Sequence, residues 1–182
     1  MLAEQAWKIL DEAELLCDAA AVRAAIERLG REISLRLAER NPLVLVVMRG
    51  GVFFAGQLLP LLRFPLELDY VHASRYGNEL SGRRLEWKSF PPEAVRGRCV
   101  LVLDDILDAG DTLAGIRKHV LESGAESCHV AVLTEKDTGV RKPLKPDFTG
   151  ITLPNRYVFG CGLDVSGAWR NLPEIYALKE KS

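Results

Sequence analysis

Apolar residues fall along this chain in two kinds of run. Val22, Ile26, Leu29, Ile33 and Leu37 recur three and four residues apart with charges between them, the spacing of one buried helical face. Asp18 is placed to cap that helix, and Asn41-Pro42 to stop it. By contrast, LVLVVM (43–48), RCVLVLDD (98–105) and HVAVLTEK (129–136) are apolar on every position before they turn polar. Such runs read as strands buried on both faces, and PLELDYVHA (65–73) as a further strand. Between them, VFFAGQLLPLL (52–62) and TLAGIRKHVLESGA (112–125) carry helical patterns. Pro60 is expected to end or kink the first, and Gly124 to end the second.

Strands alternating with helices, each strand apolar throughout, predict an α/β fold with a mostly parallel sheet covered on both sides. Ligands of such sheets bind beyond the carboxyl ends of the strands. MRGG, DDILDAGDT and EKD follow three of these strands, so one site is expected where they converge. Residues 75–90 are polar and contain two glycines. They are too long for a tight turn and too polar for a core element, and fit a mobile flap or a protruding hairpin.

Composition narrows the function classes. The 182 residues are 48% hydrophobic and 27% charged, enough for one domain with a core, and no repeat or linker divides the chain. A net charge of −1 gives no basic face for general nucleic-acid binding. No stretch is long and apolar enough to span a membrane, and the start of the chain has no export signal. The four cysteines lack a C-x-x-C spacing, as reduced buried thiols of a cytoplasmic protein would. His72, His119 and His129 show no metal-ligand spacing and read as structural or surface residues.

The chemistry concentrates in VLVLDDILDAGDT (100–112). Gly110 permits a turn that other residues resist, and Thr112 stands where a helix begins, a place suited to phosphate. Asp108 and Asp111 could equally be ordinary helix caps. Asp104 and Asp105 end a buried strand, with side chains expected on opposite faces. Carboxylates there can accept hydrogen bonds from vicinal sugar hydroxyls or hold Mg²⁺. A calcium loop opening at Asp105 would need glutamate where Ile116 stands, and no Gly-Lys-Ser/Thr follows for a Walker loop. A sugar phosphate is the ligand that suits every part of the loop.

This run resembles the phosphoribosyl pyrophosphate motif of type I phosphoribosyltransferases: an apolar strand, two acids, two apolar residues, then Asp-x-Gly-x-Thr. VMRGGVFFAGQLL (47–59) and YVHASRYGNELSG (70–82) before it, and AVLTEKD (131–137) and PDFTGITLPNRYVFGCGLDVSGAWRNLPEIYAL (146–178) after it, stand in the family's order. They resemble the pyrophosphate loop, flap, purine lysine strand and C-terminal purine-and-metal segment of the hypoxanthine-guanine, or 6-oxopurine salvage, branch.

The resemblance implies one phosphoribosyltransferase domain over 1–182, with a small hood and a flap at about 75–90. It implies Asp108 as the general base for the purine N7 proton, and Asp104 and Asp105 on the ribose hydroxyls and a nearby metal. The backbone of Asp108, Ala109, Gly110, Asp111 and Thr112 would cradle the 5′-phosphate. Arg49 and Gly50 would hold pyrophosphate, with a cis peptide before Arg49, and Arg170 would reach it too. Lys136 would donate to O6, Tyr157 would stack on the base, and Val158 would meet its edge. Asp164 would bind a second Mg²⁺. Substrates would be phosphoribosyl pyrophosphate and a 6-oxopurine, and the assembly a homodimer or homotetramer. Departures fall at Arg75, before Tyr76, where serine is common, and at LDVSGAW, where the branch is richer in tyrosine. A phosphoribosyltransferase for xanthine, adenine or a pyrimidine, or a nucleotide-sensing regulator of the same fold, are the rival readings. Lys136 disfavours adenine, whose 6-amino group is itself a donor.

Overall fold

The computed structural model describes residues 1–76, 84–90 and 92–179. Six strands form the main sheet: β2 (Leu43–Val47), β3 (Glu67–Tyr76), β4 (Arg84–Ser89), β5 (Cys99–Leu107), β6 (Ser127–Asp137) and β7 (Phe148–Pro154). Their order is β4-β3-β2-β5-β6-β7, and all neighbours run parallel except β3 and β4. The mostly parallel α/β sheet expected from the apolar runs is therefore the observed one.

Strand alternation sorts the core into two layers. Val44, Val46, Leu101 and Leu103 pack with α2 (Ala19–Leu37) and α3 (Gly51–Leu58). Leu43, Leu45, Val100 and Val102 pack on the other face with Leu113, Ile116 and Val120 of α5 (Asp111–Glu122). Asp18 caps α2 by accepting from Ala21 N at 2.7 Å, and Pro60 turns the end of α3 into a single 3₁₀ turn at Leu59–Leu61. β4 returns antiparallel beside β3. Arg75 and Tyr76 pair through their backbones with Leu85 and Arg84; their side chains, and residues 77–83, lie outside the described residues. The returning arm is held on α5 by Trp87, whose ring stacks on His119 at 4.5 Å, with Phe90 edge-on to both.

A second, antiparallel sheet of three strands has the order β1-β9-β8, from β1 (Glu14–Cys17), β8 (Val158–Phe159) and β9 (Ile175–Ala177). It forms the small hood, and Arg156 ties it shut by pairing with Glu14 at 2.6 Å and Leu178 O at 2.9 Å. Ahead of it, α1 (Ala3–Glu12) rests on the C-terminal segment: Trp169 Nε1 donates to Ala6 O at 2.9 Å, and its ring meets Trp7 edge-on at 4.9 Å. A short helix, α4 (Pro92–Val95), leads into β5.

Away from the hood, one carboxylate joins the two helical layers. Asp147, just before β7, faces Arg36 of α2 at 3.5 Å and Arg117 of α5 at 3.7 Å. It also accepts from Val130 N at 3.0 Å and meets His129 Nδ1 at 3.4 Å.

Candidate active site

The loops after β2, β5 and β6 meet under the hood, as the sheet topology requires. The first holds a cis peptide between Met48 and Arg49, where the resemblance led one to expect it. Arg49 is exposed and Gly50 is buried. The Gly50 position is tightly enclosed: a Cβ there would lie 1.9 Å from Asp105 Oδ2. On its other side, a Cβ at Gly162 would lie 2.2 Å from Gly50 O. Glycine at 162, with a φ of +104°, thus lets the hood segment close directly on the β2 loop.

Asp104 and Asp105 are both 8% exposed. They were expected on opposite faces, and the structure corrects this. Leu101 and Leu103 face the α2–α3 layer and Val102 faces α5, yet Ile106 packs with the first layer and Leu107 with the second. The alternation changes phase across the two aspartates, and Asp104 Oδ1 folds back to accept from Asp105 N at 3.0 Å. Their carboxyl groups consequently meet. Burial, reinforced by the Asp105 charge, raises the Asp104 pKa well above the usual carboxylate range. Burial raises Asp105 too, opposed by its hydrogen bond with Asp104 and by the Arg170 guanidinium. Thr134 Oγ1 fixes the strand at this point, donating to Asp105 O at 2.8 Å.

Past β5 the chain turns at Gly110, whose φ of +91° suits glycine, and enters α5 at Asp111. Asp108, on the near side of that turn, accepts from Lys136 Nζ of β6 at 2.9 Å. The lysine is largely enclosed, whereas Asp108 is 54% exposed at its side chain.

Asp105, Ile106, Asp108, Lys136, Tyr157, Val158, Leu163, Asp164 and Arg170 together line one cavity of 250 Å³. That is below the roughly 300–1,000 Å³ of pockets for drug-sized molecules, and fits a ligand portion of one small ring system. Tyr157 is half exposed at its rim, and its hydroxyl donates to Asp164 O at 3.1 Å. Strand-face tyrosines in a core look different, since they bury the ring. Arg170 donates to Gly162 O at 2.6 Å and pairs with Asp164, whose other oxygen accepts from Gly167 N at 2.6 Å.

The structure thus brings together Asp105, Asp108, Lys136, Tyr157, Val158, Asp164 and Arg170, with Gly50 against Asp105. Ile106, Leu163, Gly162 and Thr134 belong to the same site but were not singled out by the sequence. Ile106 carried a signal, as an apolar residue inside an acidic loop at a strand end. The others are ordinary residues whose placement depends on the fold.

Residues 13–166 match the family model of the phosphoribosyl transferase domain. This chain belongs to the phosphoribosyltransferase family. Within it, the chain is 35% identical over 154 residues to the hypoxanthine-guanine phosphoribosyltransferase of Lactococcus lactis, covering 84% of each. It is 34% identical over 160 residues to the hypoxanthine-guanine-xanthine phosphoribosyltransferase of Tritrichomonas foetus, covering 87% of each. A solved structure of a hypoxanthine-guanine-xanthine phosphoribosyltransferase superposes with a TM-score of 0.78 at 32% identity, covering 93% of this chain and 97% of that one.

Proposed function

We propose that this chain joins hypoxanthine or guanine to phosphoribosyl pyrophosphate, giving the nucleoside 5′-monophosphate and pyrophosphate. The carrying observation is the Lys136–Asp108 pair, a donor and an acceptor 2.9 Å apart on one cavity wall. A 6-oxopurine presents the complementary edge, an O6 acceptor beside an N7–H donor. Lys136 would donate to O6 and Asp108 accept from N7, exchanging their mutual bond for two bonds to the base. An adenine amino group would meet the ammonium donor to donor. Tyr157 supplies the stacking face, and the Val158 backbone the edge contact.

In this reading the Asp108–Thr112 turn and the start of α5 hold the 5′-phosphate, and Asp104 and Asp105 take the ribose hydroxyls. As Asp108 removes the N7 proton, the lone pair at N9 attacks C1′. The C1′–O bond breaks, and its electron pair leaves with pyrophosphate. Arg49 and Arg170 stand to receive that charge. Closure of the flap that the resemblance implies at about 75–90 would keep water from the ribosyl cation.

The donor set suits Mg²⁺. Asp104, Asp105 and Asp164 offer hard oxygens, and the burial that raises both the Asp104 and Asp105 pKa values would be offset by a divalent cation. Among the described residues no group of three or more His, Cys, Asp or Glu forms a ready metal cage. Mg²⁺ held by one or two carboxylates plus substrate phosphates needs none. Bound there, it would polarise the phosphates and neutralise the departing charge.

We read residues 1–182 as one domain working in a reducing cytoplasm. Burial pushes the Cys128 and Cys161 thiols up to about 12, which leaves them inert. No helix among the described residues is long and apolar enough to cross a membrane. Half-exposed Val52 on α3, with Leu68 and Tyr70 on β3, supports a homodimeric or homotetrameric contact on that face.

The test is a spectrophotometric assay with phosphoribosyl pyrophosphate and Mg²⁺, offering hypoxanthine, guanine, xanthine and adenine separately. Turnover of hypoxanthine or guanine with little on adenine supports the reading. Xanthine turnover would extend it in the direction of the Tritrichomonas foetus relative. Adenine alone would keep the phosphate loop and overturn the base pocket. Binding of phosphoribosyl pyrophosphate without turnover would favour a regulator.

A further inference from the structure

Lys142 belongs to none of the groups that line the cavity, yet it sits at the fork behind it. β5 and β6 pair in parallel as far as Leu107 and Glu135. Beyond that rung Asp108 leaves for the phosphate turn, whereas Lys136 stays on β6. Nothing in the strand ladder sets the distance between them.

The Lys142 side chain enters this fork from the loop after β6 and is 10% exposed. Its Nζ donates to Leu107 O at 3.2 Å and to Lys136 O at 2.5 Å. These are the carbonyls of the residue before Asp108 and of Lys136 itself. A third bond, to Glu135 Oε1 at 3.2 Å, balances the charge. Glu135 is in turn oriented by Thr149 Oγ1, which donates to its other oxygen at 3.2 Å.

An ammonium has three donors and no acceptor, and all three are engaged within the protein. A lysine so enclosed would be costly without partners, and its partners are two strand ends. Lys142 is therefore not arranged as a ligand-binding cation. Its stem also packs at the phosphate turn, where a Cβ at Gly110 would lie 3.6 Å from Lys142 Cβ.

We infer that Lys142 is a positioning residue for the purine reaction: by bonding the carbonyls of Leu107 and Lys136 it fixes the separation of Asp108 and Lys136. The inference rests on the proposed reading of that pair as the purine-edge contact. Misplacing a catalytic group by about 1 Å can cost roughly 10²-fold in rate, so the fork staple has leverage on turnover.

Three variants test it against the wild type, with steady-state kinetics in both substrates and thermal unfolding. Lys142→Met keeps the stem against Gly110 and removes the ammonium. It should lower kcat/KM for hypoxanthine by about 10–100-fold, with KM for phosphoribosyl pyrophosphate within about twofold. The preference for hypoxanthine over adenine should narrow as well. Lys142→Arg, which can still donate to both carbonyls, should recover most of the loss. Glu135→Gln, which leaves the ammonium on its carbonyls, should keep near-wild-type purine kinetics.

Unchanged purine kinetics in Lys142→Met would overturn the role. So would a loss shared equally by both substrates, one that tracks unfolded protein and is not recovered by arginine, or an equal loss in Glu135→Gln. If Lys142→Met does not fold, the arginine and glutamine variants decide by the same criteria. A wild-type protein that turns over neither hypoxanthine nor guanine would instead overturn the functional reading beneath.

Discussion

Gly50 and Asp105 occupy space that a single methyl group would deny them: a Cβ at Gly50 would stand 1.9 Å from one Asp105 oxygen and 2.4 Å from its Cγ. The β2 loop and the β5 acids are therefore packed as one piece. Substituting Gly50→Ala should push the Asp105 carboxyl aside, lower stability by about 1–3 kcal/mol as overpacking does, and greatly reduce turnover. Urea unfolding and the base-panel assay check the two effects separately.

Asp108 and Lys136 should separate activity from stability in the opposite way. Asp108 is 54% exposed at its side chain, and ion pairs open to solvent are worth about 0–1 kcal/mol. Asp108→Asn should unfold within about 1 kcal/mol of the wild type and still bind substrates, yet lose roughly 10²–10⁴-fold in turnover. Near-normal turnover would remove Asp108 from the role of base.

The buried aspartates make the unliganded protein sensitive to pH. Because the Asp104 pKa is raised, the folded chain holds that proton more tightly than the unfolded chain does. The contribution is favourable in acid and declines as pH rises past the ordinary aspartate value, until the native group ionises too. Asp104→Asn stays neutral throughout. It should raise the unliganded Tm at pH 8 more than at pH 5, while lowering activity. A Tm that falls equally at both pH values would contradict this.

Asp147 gives a control remote from the chemistry. Its oxygens face Arg36, Arg117, His129 and Val130 N, so Asp147→Ala removes the shared partner of both helical layers and strands a backbone donor. A loss of about 1–3 kcal/mol is expected, mostly from the unpaired backbone donor. The kinetics of the folded fraction should be unchanged, as calorimetry together with a steady-state assay would reveal.

Where the sequence was legible, burial on two faces made it so. β2, β5 and β6 are continuous apolar runs because helices cover both sides, and that pattern placed the three loops. The hood was implied by the resemblance alone, and its strand pairing was not legible in any local pattern. Its strands are two to four residues long, and Glu14 finds its partner at Ala177, a pairing that no local period encodes. Asp108, Lys136, Tyr157 and Asp164 were found because the motifs that carry them were recognised. Lys142 was passed over because RKPLKP reads as a solvated loop; its burial follows from where two strands diverge. The meeting of Asp104 with Asp105 was also missed, since strict alternation forbids it and a change of phase allows it.

The position of β5 between β2 and β6 has a thermodynamic consequence. Amides bonded on both sides within a sheet open only with the whole domain, whereas edge segments open at far lower free energy. Hydrogen exchange should therefore be slowest along Val100–Leu103, directly beneath the paired aspartates, and fast in the β3–β4 arm at the sheet's edge. The paired aspartates would then ride on the last part of the molecule to open, while the edge arm exchanges many times within one such event.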